Sequence, residues 1–117
     1  MQIPRPTEAD KQRFKSLVPE DARVEVKPMF GNLGAFVNGN MFMGLFGTDV
    51  GVKLTDADQR QLADAGGGPF GPAERPMGGY LTLPAGIAAA EAKRWVARSL
   101  EYVSALPPKK PKPGKKT

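Results

Sequence analysis

Residues 23–54 read RVEVKPMFGNLGAFVNGNMFMGLFGTDVGVKL, and this stretch decides the fold. From Arg23 the apolar residues Val24, Val26 and Pro28 alternate with Glu25, Lys27 and Met29, the period of a strand ending near Phe30. Gly31-Asn32 is a turn signal, and Leu33–Val37 forms the second strand. Asn38-Gly39 then supplies the two positive-φ positions of a type I′ hairpin turn. Met41–Phe46 is the third strand, Gly47-Thr48-Asp49 another turn, and Val50–Leu54 the fourth. Four strands joined by such short turns can only run antiparallel. In the third strand, strict alternation predicts Met41, Met43 and Leu45 on one face and Phe42 and Phe46 on the other. A meander greasy on both faces must be covered twice. Terminal helices suffice for one side. The other needs the second helix with the loop Gly66–Pro76, a second subunit, or a partner.

Helices lie outside this sheet. Thr7 with Asp10 makes a capping box for a first helix over Thr7–Leu17, which Pro19 ends. Thr55 caps a short second helix, Asp56–Ala65, which Gly66-Gly67-Gly68 stops. Met77–Leu83 returns to strand character. Pro84 then opens a last helix, whose Ala88, Ala92, Trp95, Val96, Ser99, Leu100 and Val103 line one face, with Glu91/Arg94 and Arg98/Glu101 pairs opposite. The reading is one α+β domain over residues 1–106, in the order α-β-β-β-β-α-β-α.

At 117 residues the chain has room for one core. Its net charge of +5 is local. Pro107–Thr117 carries Lys109, Lys110, Lys112, Lys115 and Lys116 with no acid, so the remaining 106 residues hold 12 basic and 12 acidic side chains. This Lys/Pro-rich tail has nothing apolar to bury and is predicted disordered. If all five lysines engage a polyanion such as DNA, the log–log salt slope is about −4. The tail has no aromatic residue with which to stack bases.

The absence of His and Cys excludes imidazole and thiol chemistry and the usual zinc sites. The three serines fall in predicted helices, and the acids Asp49, Asp56, Asp58 and Asp64 in turns or caps. Gly31-Asn32-Leu33-Gly34 and Gly66-Gly67-Gly68 do not open helices, as a phosphate cradle would. The expectation is a non-enzyme with no cofactor and no metal. No apolar run is long enough to span a bilayer or to resemble a signal peptide, which predicts a cytoplasmic protein without a membrane partner.

The run Lys27–Phe42, with its Met29-Phe30-Gly31-Asn32-Leu33-Gly34-Ala35-Phe36 and Gly39-Asn40-Met41-Phe42, resembles the opening of the TfoX (Sxy) N-terminal domain. Val52–Asp56, Pro69-Phe70, Met77–Pro84 and Trp95 are similar to later pieces of that pattern in the same order, over about Arg23–Val103. Asn32 stands where the family commonly has Gly, and Gly78-Gly79 replaces a more polar and aromatic stretch. The resemblance implies an α+β domain linked to competence and transcriptional control, without catalytic residues to carry over. It points to docking of a protein partner, such as part of the transcription machinery, with Lys27, Phe36, Lys53 and Phe70 as contact residues. The alternative is weak nonspecific nucleic-acid binding through the tail lysines.

Overall fold

A computed structural model describes residues 5–29, 32–71, 77–84 and 86–107. The expected turn at Gly31, the loop positions 72–76 and the tail lysines lie outside the described residues. The chain runs α1 (Glu8–Leu17), β1 (Val24–Met29), β2 (Asn32–Val37), β3 (Asn40–Phe46), β4 (Asp49–Lys53), α2 (Asp56–Asp64), β5 (Tyr80–Thr82) and α3 (Ala89–Ser104). The strands form one antiparallel sheet in the order β1-β2-β3-β4-β5, the α+β meander read from the sequence.

Local chemistry explains most boundaries. The Thr7 hydroxyl accepts from the Asp10 amide at 3.1 Å, and the Asp10 carboxylate accepts from the Thr7 amide at 2.8 Å, completing the capping box of α1. Thr55 caps α2 in the same way through the Asp58 amide. At the other end of α2, Gly67 donates to the Leu62 carbonyl and Gly66 to that of Ala63, a Schellman closure. Asn38 and Gly39 adopt φ of 54° and 81°, the type I′ turn that joins β2 to β3. Asn32 is buried, and its Oδ1 accepts from the Gly47 amide at 2.8 Å in the β3–β4 turn.

Three expectations about element bounds and strand faces need correction. The last helix begins at Ala89 rather than Pro84, because Gly86 at φ 77° turns the chain and Ile87 donates back to the Pro84 carbonyl. The fifth strand is only Tyr80–Thr82, since Met77 is held by the Phe70 carbonyl in a turn that also takes the Tyr80 amide. The faces of β3 also differ from strict alternation. Ala35 pairs with Met43 but Phe36 pairs with Met41, so Phe42 is the extra residue of a β-bulge. Phe42 therefore turns inward with Met43 and Leu45, and Met41 turns outward with Phe46. Ser99 of α3 is fully buried and donates to the Phe42 carbonyl at 2.5 Å, tying the bulge to the helical layer.

The core lies between one sheet face and the helices. Ala35, Val37, Phe42, Met43, Val50 and Val52 meet Ala92, Trp95, Val96, Leu100 and Val103 of α3. Phe14 and Leu17 of α1 and Leu62 of α2 close it. Fully burying each large aliphatic or aromatic side chain contributes about 1.5–3 kcal/mol, so this layer dominates stability. Arg98 does not pair with Glu101 as expected. It reaches α2, with its guanidinium 3.0 Å from Gln61 Oε1 and 3.6 Å from Asp58, and lies over the Trp95 ring. This draws α2 to the α3 side, so α2 does not cover the sheet's other face.

Candidate functional site: the helix-free sheet face

One row of residues defines this face. Lys27, Gly34, Gly44, Gly51 and Thr82 are successive register partners across all five strands. Three adjacent glycines leave a slot, and Phe70 fills part of it. A methyl group on Gly51 would lie 2.3 Å from the Phe70 ring, and one on Gly44 3.2 Å from its tip. Phe70 is consequently 3% exposed although it sits on a loop. Among the described residues of the loop, Phe70 is the side chain seated in this slot.

Around the plug stands an aromatic ring of contacts. Phe46 meets Phe70 edge-on at 6.3 Å, and Tyr80 lies 6.0 Å from Phe70 on the other flank. The Tyr80 hydroxyl donates to the Met41 carbonyl at 2.8 Å, and burial pushes its pKa up to about 12. Glu25, Phe36 and Met41 are consecutive register partners on the same face. The Lys27 ammonium stands 5.3 Å over the Phe36 ring and that of Lys53 5.4 Å over Tyr80. Lys27 also approaches Glu25 at 3.7 Å, an exposed ion pair of small energetic weight.

The four residues singled out from sequence therefore share one surface, with unequal roles. Phe36 is half-buried, Lys27 exposed and Lys53 half-buried, whereas Phe70 is a plug whose surface is already spent on Gly44 and Gly51. Sequence reasoning missed Tyr80, Phe46 and Met41. Tyr80 carried a signal, being the one aromatic of its strand, while Met41 joins this face only through the bulge. Phe36, Met41, Phe46 and Tyr80 keep partial exposure, so the surface is apolar, patterned by two lysines, and offset by Glu25 and Asp49.

Among the described residues no three His, Cys, Asp or Glu side chains converge to hold a metal ion, and no helix is long and apolar enough to cross a membrane. Outside this face, Asp21 pairs with Arg23. The Arg23 guanidinium and amide hydrogen-bond its carboxylate and lower its pKa to about 2. That pair forms the turn entering β1. Shallow clefts at Asp56–Arg60 and at Lys15–Glu20 lie on the helical side.

Comparison with curated proteins and with solved structures gave no match. The family model described as the TfoX N-terminal domain matches residues 12–103, most of the chain, and its span takes in every strand and all of α2. The meander, the glycine row and the Phe70 plug all fall inside that span. The chain belongs to the TfoX N-terminal domain family.

Proposed function

We propose that this protein is a non-enzymatic docking module that presents the helix-free sheet face to a protein partner in the cytoplasm. The family's link to competence and transcriptional control makes a component of the transcription machinery the partner of choice. One observation carries the reading: Lys27, Phe36, Lys53, Met41 and Tyr80 meet on a surface that no helix covers, with apolar rings beside accessible ammonium groups. Such a surface offers a partner apolar area at the centre and charge at the rim. Phe70 contributes by filling the slot and keeping the surface flat and fixed.

The test is affinity capture from the native cell with the full chain, Phe36→Asp and Lys53→Glu. Each variant is first shown to melt cooperatively. Loss of a captured component of the transcription machinery from both variants supports docking through this face. Folded variants that retain every partner would remove its basis.

A further inference from the structure

The two edges of the sheet are finished differently. At β5, Thr82 donates its amide to the Gly68 carbonyl at 2.8 Å, its hydroxyl exchanges hydrogen bonds with Gly68, and Pro69 bridges Leu81. That edge is occupied. At β1, Glu25, Val26, Lys27 and Pro28 are all exposed, and Val26 at 39% is among the most exposed large apolar side chains described. Val24 packs against the core, whereas Val26 and Pro28 beyond it are exposed, and among the described residues no strand pairs with the outer edge of β1.

Which backbone groups face outward follows from Pro28. In an antiparallel pair, residues alternate between those bonded to the neighbouring strand and those directed away from it. Pro28 has no N–H, so its place in the β1–β2 ladder, opposite Leu33, is a non-bonded one. By alternation Val26 and Val24 also direct N–H and C=O outward. The Val24 amide agrees, since it donates to the Asp21 carbonyl at 2.9 Å and not to β2. The edge therefore offers a complete outward donor–acceptor pair at Val26, bounded by a proline on one side and a satisfied amide on the other.

We infer that this edge pairs with a second copy of the chain, β1 against β1 in antiparallel register centred on Val26. The side-chain pattern fits a two-fold axis there. Val26 would oppose Val26 on the helical side, exchanging two N–H···O=C bonds. On the other face Glu25 of each copy would stand directly opposite Lys27 of its mate, giving two cross-strand ion pairs. Charge complementarity thus selects this partner and this register, because a slip by two residues sets unlike groups apart. Lysine and proline on an edge usually block pairing. Here the lysine meets a glutamate and the proline removes one donor at the margin. The two copies would form one ten-stranded sheet, leaving both docking faces on the same side.

The contact is small, which places its dissociation constant on the order of 0.1–1 mM. Sedimentation of the full chain up to about 1 mM should give a concentration-dependent dimer. Glu25→Lys should weaken it about tenfold or more, and Glu25→Lys with Lys27→Glu should restore it. Hydrogen exchange at the Val26 amide should slow as the dimer fills. A monomer at every concentration would overturn the inference, as would a dimer indifferent to Glu25→Lys or not rescued by the charge swap. Glu25 and Lys27 border Phe36, so dimerisation is read by sedimentation of the chain alone and docking by capture with Phe36→Asp and Lys53→Glu, and the failure of one reading is told apart from the failure of the other.

Discussion

Gly51→Ala is a minimal substitution with a large expected consequence. In a strand, replacing Gly by Ala should by itself stabilise by about 0.5–1 kcal/mol, since Gly loses more backbone freedom on folding. Here the new methyl would sit 2.3 Å from Cγ and Cδ1 of Phe70 and 2.7 Å from Cδ2. Carbon atoms pack at about 3.5–4 Å, so the ring must leave. Gly51 lies inside β4 and is register partner to both Gly44 and Thr82, so the backbone has little room to give. Expelling Phe70, now 3% exposed, forfeits its burial at about 2–3 kcal/mol and strips the edge contact with Phe46. The net expected loss is about 2 kcal/mol, or roughly 10 °C in melting temperature for a domain of this size. Urea denaturation of wild type, Gly51→Ala, Phe70→Ala and the double variant measures it. Once the ring is gone the methyl clashes with nothing, so the double variant should be no worse than Phe70→Ala, a coupling of about 1–3 kcal/mol. A silent or stabilising Gly51→Ala, or additive losses, would refute the slot-and-plug account.

Four further outcomes are expected. Ser99→Ala leaves the buried Phe42 carbonyl at the bulge without its donor and should cost about 1–3 kcal/mol in urea denaturation. Tyr80 is held neutral by burial, so its contribution is fully present below its unfolded pKa of about 10 and is lost as pH rises toward about 12; a 295 nm titration with parallel melts should show Tyr80 ionising and stability falling in that window. The reverse sign applies to Asp21, whose depressed pKa makes its contribution persist until pH falls from about 4 toward about 2. If the tail lysines bind nucleic acid, deleting residues 108–117 should abolish salt-sensitive DNA retention, and unchanged retention would assign any such binding to the body.

What the sequence alone determined is what neighbours along the chain decide. Asn38-Gly39 made the hairpin, Thr7 and Thr55 made helix starts, and Gly66-Gly67 ended α2, because each effect acts within a few residues. Alternation then carried four strands into one antiparallel sheet, and the series of short motifs carried the family. Only tertiary structure decided which side chains meet. The bulge at Phe42 faces Ser99, 57 residues later in the chain, and strict alternation assigned Phe42 and Met41 to exchanged faces. Phe70 read as a contact residue because nothing nearby in sequence reveals the glycine row waiting for it. Arg98 took its polar partners on α2 rather than Glu101 of its own helix for the same reason. Short-range rules fix backbone state, whereas packing between distant segments chooses among side-chain environments that those rules leave equal.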